Sequence, residues 1–71
     1  MKKYPWFEIW FDYQEPPYLL ILLPDMQETR FDVYDPLEDR VCHSAKTYED
    51  ACSWLWEDEF RRVEGRIGAD D

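Results

Sequence analysis

The sequence predicts an α+β fold, in which an antiparallel meander of three to five strands carries one α-helix on one face in a two-layer arrangement. Two patterns indicate this fold: several short segments alternate apolar and polar residues with the period of a strand, and one segment has helical spacing. Turn residues separate these segments, so the connections are local. A length of 71 residues allows one compact domain over residues 1–71, with residues 68–71 expected to be a loose tail.

The first strand is expected at residues 6–13, where the side chains alternate with period two. One face is expected to point into the core. It consists of Phe7, Ile9, Phe11 and Tyr13. The opposite face mixes two Trp with two carboxylates. It consists of Trp6, Glu8, Trp10 and Asp12. Two interpretations of the mixed face are open, an aromatic and acidic contact surface or a second small core. Pro16 and Pro17 then predict a hairpin loop.

Three further strands are expected. Residues 18–23 are apolar on both faces, which is typical of a strand at the centre of a sheet. Residues 29–35 alternate again, and Asp35-Pro36 ends that strand. Residues 40–44 form a short fourth strand, whose length suits an edge. Residues 61–67 also alternate, and they are expected to form either a short final strand or a docked tail.

The helix is expected to run from residue 48 to about residue 60. Thr47 is a suitable N-cap, and Glu49 and Asp50 place negative charge in the first turn, where it complements the helix dipole. The acidic run at residues 57–59 opposes the dipole at the other end of the helix. Acidic residues are unfavourable at this end of a helix, so their presence there indicates a function at the surface.

The order of strand, strand and helix resembles the HicB-type antitoxin pattern in three short segments. These are residues 18–23, the Pro24-Asp25 step, and the helix start with Thr47, Glu49 or Asp50, and Ala51. Residues 29–44 depart from that pattern, and the glycine that follows the proline-aspartate step in the family is missing here. The resemblance therefore supports the fold class only.

The charge balance bears on the kind of partner. Seventeen Asp and Glu face eight Lys and Arg, which gives a net charge of -9. A field of that sign repels phosphate, so we expect no binding to nucleic acid or to an anionic membrane. Residues 4–29 and 47–60 contain no cation at all. The acidic excess is expected either to keep an aromatic-rich domain soluble or to form an acidic patch for a basic protein.

No catalytic, metal or cofactor site is expected. His43 is the single histidine, and its neighbour Cys42 is expected to point to the opposite face of the strand, so the two cannot form a dyad. Cys42, His43 and Cys52 lack the spacing of a zinc site, and both cysteines are expected to be reduced. No glycine-rich loop is available to hold phosphate.

The expected compartment is the cytoplasm. The start of the sequence lacks the uninterrupted apolar stretch of an export signal, and the apolar run at residues 18–23 is too short to span a bilayer. Reduced cysteines agree with this expectation.

The first functional hypothesis is a small acidic protein-binding module, such as an immunity-protein-like or antitoxin-like inhibitor of a basic protein, and not an enzyme. Exposed Trp are common interface anchors, and acidic side chains steer basic partners. The expected partner-binding residues are Trp6, Glu8, Trp10, Asp12, Trp54, Glu57 and Asp58. The alternative is a structural or assembly subunit that dimerises, or joins a larger complex, through a sheet edge or the Trp-bearing face.

Overall fold

The computed structural model describes residues 4–68, and it shows one helix packed against an open, five-stranded antiparallel sheet. The elements in chain order are β1 (Glu8–Phe11), β2 (Leu19–Pro24), β3 (Phe31–Asp35), β4 (Arg40–Ala45), α1 (Tyr48–Glu57) and β5 (Arg61–Arg62). The spatial order of the strands is β4-β3-β2-β1-β5. The predicted α+β fold class is therefore confirmed. The expected loose tail lies outside the described residues except for Gly68.

The strand predictions hold at the level of the elements. β2, the strand that is apolar on both faces, lies at the centre of the sheet, and β4 lies at one edge. The stretch predicted as either a strand or a docked tail does both. β5 pairs with β1, and Ile67 then forms an isolated antiparallel bridge with Phe7. The last described segment of the chain is thus held against the first strand.

α1 ends three residues earlier than the sequence predicts. It begins as expected, with the Thr47 hydroxyl accepting a hydrogen bond from the Asp50 N–H at 3.1 Å. At the other end the Phe60 N–H bonds to the Leu55 carbonyl at 2.9 Å, and the Glu59 N–H bonds to the Trp56 carbonyl at 2.9 Å. These two bonds form a Schellman motif, which requires Glu59 to adopt a left-handed conformation with φ of 65°. The chain therefore leaves the helix after Glu57.

The core lies between α1 and one face of the sheet. It consists of Trp6, Trp10, Leu20, Leu22, Phe31, Val33, Ala51, Leu55 and Phe60. Strand register explains the composition, because paired residues share a face and β1 pairs Trp10 with Leu20. The two Trp rings contribute much of the apolar area that α1 covers.

The prediction for the two faces of β1 is wrong. The face of Phe7, Ile9 and Phe11, expected in the core, points away from α1, and Tyr13 is 80% exposed. The mixed face lies under the helix instead. The physical reason is that its Trp rings offer more area to bury, while its carboxylates find enough hydrogen-bond donors to offset the cost of burial.

Among residues 4–68, no helix combines the length and the apolar character needed to cross a membrane. Cys42 and Cys52 are free thiols, and each is partly buried.

Candidate functional site

Four of the seven predicted partner-binding residues lie in the interior. Trp6, Glu8, Trp10 and Asp12 are between 0% and 7% exposed and pack on the side of the sheet that α1 covers. The expectation of an open contact surface at these residues is therefore wrong, and the alternative of a second small core describes them better. Their polar groups are satisfied within the fold.

Glu8 is the centre of a buried polar cluster. Its carboxylate accepts hydrogen bonds from Arg66 at 2.9 Å, from Arg62 at 3.2 Å, from the Tyr48 hydroxyl at 2.8 Å and from the Trp10 indole at 3.2 Å. Burial, together with hydrogen bonds to Cys52 and Glu8, raises the pKa of Tyr48 to about 12. The cluster ties residues 62–66 to the core.

Arg66 has a second role in this cluster. Its guanidinium lies over the Trp6 ring at 3.8 Å and over the Tyr48 ring at 5.1 Å, which adds cation–π attraction to the ion pair. A planar guanidinium suits both contacts at once. The buried carboxylate and the Trp rings on this face are thus already occupied by this chain's own residues.

Asp12 organises the loop between β1 and β2. Its side chain accepts hydrogen bonds from the N–H of Gln14 at 3.3 Å and of Tyr18 at 3.0 Å. Asp35 does the same for the β3–β4 turn, accepting from the N–H of Leu37 at 3.0 Å and of Glu38 at 3.2 Å. Both carboxylates are only 7% exposed, so they act as internal braces of the two loops.

The three remaining predicted residues stay at the surface, near the end of α1. Trp54 is half-buried, and its ring stacks on His43 with 4.4 Å between ring centroids. Together with the exposed Glu57 and Asp58 it lines a shallow depression of about 280 Å³. A neighbouring pocket of about 270 Å³ brings Asp12 together with Trp54 and Asp58. The predicted set therefore does not form one surface, because Trp6, Glu8 and Trp10 lie under the helix.

The expectation that Cys42 and His43 point to opposite faces of β4 is wrong, because Cys42 packs against the core and His43 stacks on Trp54 of α1. β4 does not alternate strictly, since its register shifts opposite Val33 and Tyr34, where Val33 pairs with His43 and Tyr34 pairs with Val41. Burial raises the pKa of the Cys42 thiol above the ordinary value. Among residues 4–68 no group of three or more His, Cys, Asp and Glu is placed to hold a metal ion.

The opposite face of the sheet is covered by no described element, and we call it the helix-free face. Strand register assigns it these side chains: Phe7, Ile9, Phe11, Leu19, Ile21, Leu23, Tyr34, Val41 and Ile67. Three of them are substantially exposed, with Leu19 at 46%, Val41 at 47% and Ile67 at 50%. An apolar surface therefore runs across β1 to β4 and on to the bridge at Ile67, whereas β5 itself contributes only Arg61 and Arg62.

Carboxylates border the helix-free face on the side of β3 and β4. Asp32 shares this face with Leu23 and accepts hydrogen bonds from Arg30 at 3.2 Å and Ser44 at 2.6 Å. The Tyr34 hydroxyl donates to Asp39 and holds that carboxylate at the end of the face. The apolar surface is thus bordered by carboxylates on the side of β3 and β4.

Sequence reasoning missed this surface although a signal for it was present. β2 is apolar on both faces, whereas the sequence predicts a single helix, and one helix covers one face of a sheet. The alternation in residues 6–13 also separated Phe7, Ile9 and Phe11 from the Trp residues correctly. Only the direction of the two faces was wrong.

Comparison with known proteins finds no family model, no curated protein and no solved structure that matches this chain. The short resemblance to HicB-type antitoxins gains no support from the family comparison.

Proposed function

We propose that this protein is a protein-binding module, and not an enzyme, that docks a basic protein on the helix-free face of its sheet. The observation that carries the proposal is the exposure of Leu19, Val41 and Ile67 on one continuous apolar face. A chain with a net charge of -9 does not need apolar side chains at its surface to stay folded or soluble. Apolar patches of this kind mark interaction sites.

The size of the face bears on what covers it. Five strands about 4.8 Å apart, with four residues of about 3.3 Å each, give a face on the order of 300 Å². A face-to-face pair of two copies would bury roughly 600 Å² in total, well below the roughly 1,200 Å² of a stable interface. Two copies would also bring together two chains of net charge -9. The like charge of two copies therefore favours a different protein over a second copy, and either occupant needs contacts beyond this face to reach the area of a stable interface.

Charge supports a basic partner. Asp32 and Asp39 lie on or beside the apolar face on the side of β3 and β4, where the cations Arg30 and Arg40 are already paired with Asp32 and Glu38. A partner with an apolar patch surrounded by Lys or Arg can pack the patch on the apolar face and pair its cations with the bordering carboxylates. Attraction between the two charge distributions speeds the encounter, and the apolar contact then determines how long the complex lasts.

The test replaces two half-exposed residues of the face with lysine, in the double variant V41K/I67K. A protein captured from the source organism by the wild-type chain is purified, and its dissociation constant is measured by calorimetry. We expect the double variant to weaken binding by at least about ten-fold, because it inserts like charge into a basic partner's docking surface.

The matched control is the double variant M26K/S53K, which makes the same change in net charge at exposed positions away from the face. It is expected to weaken binding by less than about three-fold, through the loss of steering alone. Circular dichroism confirms that both variants fold. The proposal is overturned by equal binding of V41K/I67K and wild type, by equal weakening in both double variants, or by sedimentation that shows the wild type to be a stable dimer.

A further inference from the structure

An apolar pocket opens at the end of the sheet where the β1–β2 loop and the β3–β4 turn lie side by side. We call it the end pocket, and its volume is about 390 Å³. It is lined by Pro16, Pro17, Tyr18, Leu19, Pro36 and Leu37. Leu19 also belongs to the helix-free face, so the two surfaces are continuous. Leu37 is 77% exposed, which places an apolar side chain at the rim of the pocket.

The walls of the end pocket are held in place by hydrogen bonds. Asp12 braces the loop that carries Pro16 and Pro17, and Asp35 braces the turn that carries Pro36 and Leu37. The Tyr18 hydroxyl donates to Asp35 at 2.6 Å and so joins the two loops directly. The proline and tyrosine rings that line the pocket have few rotatable bonds, and the two loops are held in place. Little conformational entropy is therefore lost when a ligand binds.

The chemistry of the pocket points to an apolar occupant. The only hydroxyl among the lining side chains is that of Tyr18, and it is engaged by Asp35, whose hydrogen bond raises the pKa of Tyr18 to about 12. Small-molecule sites usually add several convergent polar groups to an apolar lining. A pocket without them suits a single aliphatic or aromatic side chain, the usual anchor of a protein interface.

The charges around the pocket are negative. The two loops that form the pocket also carry three exposed carboxylates, Glu15, Glu38 and Asp39. The one cation between residues 12 and 18 or between residues 35 and 40 is Arg40, which pairs with Glu38 at 3.0 Å. The loops that form the pocket therefore carry more negative than positive charge.

We propose that the end pocket is the anchor site for a partner segment in which an aliphatic or aromatic residue is flanked by Lys or Arg. This inference rests on the proposed function, since it names the part of a basic partner that binds and the place where it binds. It also adds contact area to that of the helix-free face.

The probe is a set of synthetic pentapeptides, titrated into the isotopically labelled full chain and followed by amide chemical shifts. The test peptides place Leu or Trp between two pairs of Arg. One control replaces the central residue with Ala, and the other replaces the four Arg with Glu. We expect shifts at Tyr18, Leu19 and Leu37 with the test peptides, at least about five-fold weaker binding for the Ala peptide, and no saturable binding for the Glu peptide.

A chain variant gives the second measurement. L37S removes the exposed apolar rim without touching the core, and we expect it to weaken the Leu and Trp peptides by at least about five-fold. M26S, a change of similar size at an exposed residue of the β2–β3 turn, is the matched control and is expected to bind as wild type does. Equal affinity of the Ala and Leu peptides, or shifts that cluster away from the pocket, would overturn the inference.

The two proposals fail separately. If the natural partner is lost in V41K/I67K but retained in L37S, the helix-free face is the docking surface and the end pocket is not the anchor. If the peptides bind the end pocket but V41K/I67K retains the natural partner, the pocket binds its ligand and the proposed docking face is wrong.

Discussion

Glu8 shows why a carboxylate is tolerated in so small a core. It is fully buried, yet two guanidinium groups, a phenol and an indole donate to it, and among residues 4–68 no buried side-chain polar atom lacks a partner. A buried charge is costly unless it is paired and hydrogen-bonded in this way. The cost of its burial is offset by donors that lie 54 and 58 residues further along the chain.

Replacing Glu8 with Gln is expected to lower the free energy of unfolding by about 1–3 kcal/mol, because the charge-assisted hydrogen bonds from Arg62 and Arg66 are lost while the side-chain volume is kept. Denaturant unfolding measures the change, and hydrogen exchange at residues 61–67 is expected to accelerate. Glu64→Gln, an exposed change in the same segment, is the control and is expected to stay within about 0.5 kcal/mol of wild type. Equal stability of the two variants would show that the Glu8 cluster does not hold this segment.

Asp35 is expected to make the stability of the fold depend on pH. Burial alone would raise the pKa of this carboxyl, but hydrogen bonds from Tyr18 and from the N–H groups of Glu38 and Leu37 outweigh it and hold the pKa below its ordinary value of 3.8. A folded-state pKa below the unfolded one means that ionised Asp35 stabilises the fold above pH 3.8, and that this contribution is lost as the pH falls through the folded-state pKa.

When the pH is lowered below 3.8, we therefore expect the denaturant concentration at the unfolding midpoint of the wild type to decrease. The midpoint of D35N is expected to decrease less over the same pH range. Unfolding curves recorded between neutral and strongly acidic pH give the change of midpoint with pH, which is the slope compared here, for both proteins. E15Q, which changes an exposed carboxylate of the other loop, serves as the control and should keep the wild-type slope. The assignment to Asp35 is wrong if D35N and the wild type lose stability in parallel.

Among the elements, α1 ends in a motif that its sequence does not favour. Glu59 occupies the left-handed position of a Schellman motif, where glycine is the usual residue, and no basic residue lies in the last turn. The backbone conformation costs a residue with a Cβ about 1 kcal/mol or more, and the nearby acidic charges oppose the dipole.

Glu59→Gly is therefore expected to raise the free energy of unfolding by about 1 kcal/mol, since it relieves the left-handed conformation and removes a charge. Glu59→Gln removes the charge and keeps the Cβ, so its gain is expected to be only about 0.3 kcal/mol. Thermal and denaturant unfolding give both values. If the two variants gain equally, the charge and not the backbone is responsible.

Local sequence pattern predicted some features of the strands and the helix and not others. The alternation of side chains in residues 6–13 correctly predicted which of them share a face, and the apolar run at residues 18–23 correctly predicted the central strand. Which face of β1 receives the helix depends on Arg62 and Arg66 reaching Glu8, a contact across more than fifty residues that local pattern cannot contain. The end of α1 was misplaced because a Glu stands where the motif usually has Gly.

At the scale of the whole molecule, the side of the sheet expected to be a contact surface forms the core, and the side expected to form the core is not covered by the helix. The Trp residues of β1, which composition marks as interface anchors, fill the core, whereas Phe, Ile and Leu side chains of ordinary core type form the uncovered face. Of the predicted site, Trp54, Glu57 and Asp58 keep surface positions on the helix side of the molecule. They are available for a second contact but do not adjoin the helix-free face.

The pairing of β1 with the segment around Ile67 has a consequence for synthesis on the ribosome. β1 is completed only by residues more than fifty positions further along the chain, since Phe7 bridges to Ile67 and Glu8 pairs with Arg66. A nascent chain that has not yet released Arg66 from the exit tunnel carries a carboxylate that it cannot bury. This domain is therefore expected to complete its fold only after residues 66 and 67 have left the exit tunnel.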